Sequence, residues 1–127
     1  MNNIDEKSKL VLDKLWEFAI QNNGHYKLNN DDTYIPLTIE ILDNNQISIC
    51  HYGEQNGDLM RDPEMVFWKD EIGNYFPFYF RNDYVGIEEF SGEVIENKLV
   101  ISNEEQQIDQ VEFSNIWLET IEYQQDI

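Results

Sequence analysis

The feature that constrains this chain most is a change of hydrophobic period near residue 34. Before it, over residues 5–22, Leu12, Leu15, Trp16, Ala19 and Ile20 recur three or four apart, with Val11 and Phe18 widening the apolar side. That spacing places them on one face of a helix. After it, Ile35, Leu37, Ile39 and Ile41 alternate with Pro36, Thr38 and Glu40, and a period of two puts one face of a strand on a core. The helical period returns only over residues 103–124. A chain patterned in this way is held to a helix, a run of strands and a closing helix.

The first helix can be capped by Asp5 or Ser8 and stops at Gly24. Trp16 and Phe18 read as core residues, and His25, just past the helix, as a group that satisfies its last carbonyls. Residues 29–32 form a polar turn. A strand follows from Tyr34, and Pro36 assigns that end to a sheet edge or a strand start. Asp43, Asn44 and Asn45 turn it into a second strand over 46–52, with Ile47, Ile49 and finally His51 facing inward.

Residues 65–69, 75–80, 84–90 and 98–101 read as further strands, with turns at 70–74 and 81–83 and near Asn97. The aromatics from Tyr75 to Phe80 occupy both faces of their strand, so one side is expected beneath a helix and the other partly exposed; Pro77 asks for an edge or a bulge. The closing helix can start at a capping box, Ser102 with Glu105 or Asp109 with Glu112. Its expected apolar side is Ile108, Val111, Phe113, Trp117, Leu118 and Ile121. The predicted fold class is α+β: an N-terminal helix, an antiparallel sheet of five or six strands and a C-terminal helix packed on it. All 127 residues are expected in a single domain.

Between the strands ending near Tyr52 and starting near Met65 lie about a dozen residues, more than a hairpin connection normally uses. Leu59, Met60 and Met65 can anchor this stretch, and Pro63 can hold Arg61, Asp62 and Glu64 in place. The polar cluster His51, Glu54, Asp58, Arg61, Asp62 and Glu64, joined by Asp83, is a candidate small-ligand or peptide site. Carboxylates beside a histidine suit acid–base work or a hard cation, and an arginine fork suits an anion. The plainer reading is an ordered loop in which Arg61 pairs with an acid and Asp58 caps a turn.

Chemistry beyond binding is not expected. The acids lack calcium-loop spacing, and no His-Glu-x-x-His and no Gly-Lys-Ser/Thr cradle occurs. Two histidines and one cysteine are too few for a tetrahedral zinc site. Ser48, Ser91 and Ser114 have no recognisable base, and Cys50, inside a strand, reads as a packing residue. The expectation is no catalytic residue, no metal and no cofactor.

The run Gly57-Asp58-Leu59-Met60-Arg61-Asp62-Pro63-Glu64-Met65, with Phe78-Tyr79-Phe80-Arg81-Asn82-Asp83-Tyr84-Val85-Gly86 after it, resembles an uncharacterised small domain family of bacterial phages, plasmids and conjugative elements. The resemblance spans residues 50–124, including Ile116-Trp117-Leu118. It implies one compact domain and a mobile-element setting, and it assigns no catalytic role.

Charge limits the partners. Twenty-six acids against eight bases give a net charge of −18. Residues 82–127 hold twelve of those acids and a single lysine. Phosphate neutralisation needs clustered Lys and Arg, so direct nucleic-acid binding is excluded, and the same field opposes anionic lipid. No run reaches the roughly 18 apolar residues of a membrane span, and the N-terminus lacks signal-peptide character. With one cysteine and so no internal disulfide, the chain is expected in the cytoplasm.

On the closing helix Glu105, Asp109, Glu112, Glu119 and Glu122 fall three, four or seven apart, roughly on one face. Neighbouring carboxylates about 6 Å apart match the spacing of phosphates along a strand. The plain reading is a solvated face. The sharper one is a surface that binds a basic, nucleic-acid-handling protein, as a nucleic-acid mimic or an inhibitor of host defence. A third reading is a subunit contacting its neighbours through Tyr75, Phe78 and Tyr79. Nothing in the pattern sets an oligomeric state.

Overall fold

Asp5 opens helix α1 (Glu6–Ile20) by accepting the Ser8 amide at 2.8 Å. The chain leaves through Asn23 and Gly24, both at positive φ, and the Gly24 amide returns to the Ala19 carbonyl. It runs straight into a strand absent from the sequence reading, β1 (His25–Leu28). His25 therefore begins a strand, where it was expected to close a helix. The computed structural model describes residues 1–43 and 45–127, so the turn expected at Asp43, Asn44 and Asn45 lies partly outside the described residues.

The sheet continues through β2 (Leu37–Asp43), β3 (Gln46–Gln55), β4 (Asp58–Lys69), β5 (Tyr75–Asn82) and β6 (Ile87–Phe90). Each strand pairs antiparallel with its sequence neighbour, an α+β meander of six strands. Two further strands, β7 (Gly92–Ile95) and β8 (Lys98–Ile101), form a separate hairpin turned by Glu96 and Asn97, both left-handed. Helix α2 (Glu104–Gln125) closes the fold. Its cap is Asn103, which accepts from the Gln106 amide. Ser102 lies one residue ahead of that cap, its amide and hydroxyl both donating to the Ser91 carbonyl.

The expected dozen-residue loop does not exist. β3 and β4 stay paired out to Gln55 opposite Asp58, and only Asn56 and Gly57 turn the chain. Both sit at positive φ, 53° and 86°, the two-residue turn that suits strand twist and that Asn-Gly favours. Lower down this arm the register shifts: Cys50 faces Glu64, but Tyr52 faces Arg61. Asp62 and Pro63 together oppose His51, a bulge in which the proline's missing donor costs no ladder bond. Pro77 likewise lies beside a bulge, because Phe67 faces Pro77 and Val66 faces Tyr79.

Both helices cover one sheet face, where Leu12, Leu15, Ile39, Ile49, Met65, Phe67, Leu118 and Ile121 are fully buried. The opposite face is covered too. Val66, Trp68 and Phe78 pack there against Leu99 of the β7–β8 hairpin. Phe78 is buried by that hairpin and Tyr75 by the helix side, where it donates to Asp13 at 2.8 Å; only Tyr79 is half-exposed, so these aromatics do not form the expected contact surface.

Helix α2 departs from its expected apolar side. Ile108 and Phe113 are exposed, while Gln107, Gln110 and Ser114 are buried beneath its first half. Gln107 accepts the Asn2 amide and donates to the Pro77 carbonyl at 3.1 Å. Gln110 accepts the Ser91 hydroxyl at 2.6 Å and donates to the Glu89 carbonyl. A bulge and a strand-to-strand link leave backbone groups outside the ladder, and buried backbone polar groups need such partners.

Candidate functional site

The seven residues of the expected ligand cluster divide among three places. On the face shared with the β7–β8 hairpin, Glu64, Arg81 and Glu88 stand opposite one another across β4, β5 and β6. Because of the bulge at Asp62 and Pro63, Arg61 joins them, its Nε 3.3 Å from Glu64 as an ion pair without hydrogen-bond alignment. Ser48 donates to the other Glu64 oxygen at 2.8 Å. Asp83 reaches back from the end of β5, accepting from the Arg61 amide at 2.8 Å and from Arg81 Nε at 2.7 Å. The Arg61 amide, then Arg81, hold the Asp83 carboxyl below its ordinary pKa.

Tyr79 donates to Glu88 at 2.6 Å. Burial first, then that bond to a carboxylate, push its phenol up to about 12. Cys50, beside this ladder, is also pushed up to about 12 by burial and by the charge of Glu64. A buried thiol so disfavoured as thiolate packs as a small apolar side chain. Arg81 is hydrogen-bonded to Asp83 and Glu88, whereas the Arg61 guanidinium reaches Glu64 and Asp83 only as ion pairs, at 3.3 and 4.0 Å.

His51 points the other way, into the helix side of the sheet. Its ring meets Trp117 edge-on, with centroids 5.4 Å apart, and its Nε2 has no partner among the described residues. Burial lowers its pKa, opposed by the Asp62 charge. Asp62 itself accepts from Asn82 at 2.9 Å. Glu54 and Asp58 occupy the exposed end of the β3–β4 arm. A cleft of about 570 Å³ lies elsewhere, between Trp68, Lys69, Asp70, Ile72 and Leu99. Arg61 and Asp83 are thus in contact and Asp62 is tied to Asn82 beside them, while Asp58 stands apart at the exposed end of the arm.

The depressed His51 pKa makes stability depend on pH. The unfolded chain takes up a proton near the ordinary value of about 6.5, while the folded chain resists it. Stability is therefore fully present above that value and falls as pH drops toward the folded pKa. Between about pH 6.5 and 5, above the ordinary carboxylate range, His51→Phe is expected to flatten the fall in urea midpoint. Equal losses in variant and parent would assign the effect to other groups.

The acids of α2 lie along its outer side, with Glu105, Asp109, Glu112 and Glu119 exposed and Glu122 half-buried. They are not equivalent. Glu119 accepts from Lys7 at 2.9 Å, which raises the Lys7 pKa, and Glu122 lies 3.9 Å from Lys14. Glu105, Asp109 and Glu112 form no ion pair among the described residues. Glu104, absent from the sequence reading, holds the N-terminal amine at 3.0 Å. Ser48, read as a serine without a base, Tyr79, read as a contact aromatic, and Glu88 also join this cluster, since strand register brings them to Glu64 and Arg81.

A six-strand meander with two helices on one face and a hairpin on the other, carrying excess carboxylate, defines a small acidic α+β domain. No helix among the described residues is long and apolar enough to cross a membrane. Over residues 9–127 the chain matches the family described as "Domain of unknown function (DUF6908)", and it belongs to that family. The match takes in most of α1 as well as β1 and β2, ahead of the resemblance that starts at residue 50. No curated protein and no solved structure matches the chain.

Proposed function

We propose that this chain is a non-enzymatic acidic interaction protein that binds a basic, nucleic-acid-handling protein in the cytoplasm. The observation that carries this reading is the first half of α2, where Glu105, Asp109 and Glu112 face solvent and pair with no cation among the described residues. Unpaired carboxylates on a rigid helix attract a cationic surface without first giving up an internal partner. The net charge of −18 steers such a partner at long range, so association is fast and weakens as salt screens it. The resemblance of the 57–65 and 78–86 motifs to a mobile-element family supports a role in which the acidic surface occludes a host defence protein or a regulator of DNA transactions.

The test is retention. A tagged copy is expected to hold a basic DNA- or RNA-handling protein from bacterial lysate at low salt and to release it at a salt step, identified by mass spectrometry. Glu105→Lys, Asp109→Lys and Glu112→Lys together are expected to lower retention by about tenfold or more, equivalent to roughly 1.4 kcal/mol. Reversing Glu119 and Glu122 is expected to weaken retention less, because Lys7 and Lys14 already offset them. Retention unchanged by the first triple would end the proposal.

A further inference from the structure

We propose that the outer ridge of α2 is a docking strip for a cationic amphipathic helix of a partner protein, an inference that rests on the reading above and narrows it. Ile116 and Tyr123 lie on this ridge and are 69% and 79% exposed. Single exposed apolar residues are ordinary. These two are seven apart and in line with Asp109, while Glu105, Glu112, Glu119 and Asp126 form a second row of period seven, four residues ahead. Alternating steps of four and three make the seam along which one helix packs on another.

Each apolar position is bracketed by acids: Ile116 by Glu112 and Glu119, Tyr123 by Glu119 and the helix-ending Asp126. The opposite side of the same helix is fixed to the sheet through Gln107, Gln110, Trp117, Leu118 and Ile121, all buried. The ridge is thus rigid and faces one way, and a helix of 22 residues offers a strip about 33 Å long.

Charge decides the occupant. A second copy of this chain would set one acidic row against another, and like charges at a seam oppose pairing. Anionic lipid and nucleic acid are repelled for the same reason. The complement is a helix with Lys or Arg facing Glu105, Glu112 and Glu119 and apolar side chains facing Ile116 and Tyr123. This differs from mimicry of a phosphate backbone. A phosphate row is anionic throughout, whereas this ridge is interrupted by apolar groups whose burial salt does not screen.

The experiment uses the full chain and two helical peptides of about three heptads, both with lysine at one seam position. One carries leucine at the other seam position, and its control carries glutamine there, at equal charge. Fluorescence anisotropy at about 0.05 and 0.3 M salt is expected to show the leucine peptide binding roughly tenfold tighter, with the ratio kept at the higher salt. Ile116→Ser with Tyr123→Ser should erase that ratio while leaving the weaker, salt-sensitive binding; both sites are exposed, and circular dichroism checks the fold. Equal binding of the two peptides, or a ratio that survives the double variant, overturns the docking strip and leaves the charge-based function standing. Binding of neither peptide overturns both.

Discussion

Trp117→Ala is expected to cost about 3–5 kcal/mol of unfolding free energy, the largest effect of any single change in α2. The Trp117 ring is 6% exposed, meets His51 edge-on and lies 5.8 Å from Phe113, which in turn meets Phe80 at 5.2 Å. Removing it opens a cavity where α2 rests on the sheet, and that cavity adds to the lost transfer energy. Urea unfolding followed by Trp16 and Trp68 fluorescence measures the loss. Ile116→Ala, one residue away and exposed, is the control and should stay within about 0.5 kcal/mol. A loss below about 1 kcal/mol for Trp117→Ala would mean that α2 is not seated on this ring.

Gly92→Ala is expected to cost about 1–3 kcal/mol by overpacking. A Cβ at that position would run into the Val100 carbonyl oxygen and come within 2.9 Å of Ile101 Cδ1 and 3.0 Å of Ile101 Cα. Two of those three atoms are backbone, so no side-chain rotation relieves the clash. Gly92 pairs opposite Ile101 in the β7–β8 hairpin, and the two strands must separate to admit a methyl. Acrylamide quenching of Trp68, which this hairpin helps to bury, should rise in the variant. Unchanged quenching and an unchanged midpoint would show that the hairpin gives way without cost.

The parts of this fold legible from residue types alone are those with several periods of pattern. Helix α1, strands β2 and β3 and the existence of α2 follow from spacing, because each repeats its apolar signal along one face. β1 was invisible: of its four residues only Leu28 is fully buried, too little to register as alternation. The β3–β4 arm was misread for a different reason. Its Asn-Gly turn signal was present, but Gly53, Pro63 and several charges broke the alternation on either side. The bulge then places Arg61 and Glu64, three apart, on one face, which a strict period of two forbids.

The candidate cluster was legible as chemistry and not as geometry. An arginine pairing with an acid and Asp83 turning back toward Arg61 both follow from residue type and turn position. The inward direction of His51 follows from alternation along β3. What alternation could not supply is the register that sends Glu64 and Asp62 to different partners, or the exposed end that isolates Glu54 and Asp58. Gln107 and Gln110 were equally out of reach, because a polarity pattern assigns glutamine to solvent. Their burial is explained by the Asn2 amide, the Pro77 and Glu89 carbonyls and the Ser91 hydroxyl, which they meet only in the fold.

The order of elements also bears on how the chain is made. Every strand of the sheet pairs with the one before it, so the meander can zip progressively as residues leave the ribosome. Its helix-side face cannot close in the same way. Trp117, Leu118 and Ile121 arrive with α2, and the ties from Asn2 to Gln107, Asp5 to Asn115 and Asn30 to Gln125 span 105, 110 and 95 residues. Until α2 emerges, Ile39, Ile49 and Phe67 lack part of their cover, and exposed apolar sheet invites association between nascent chains. The most anionic third of the molecule thus includes the helix whose arrival ends that exposure.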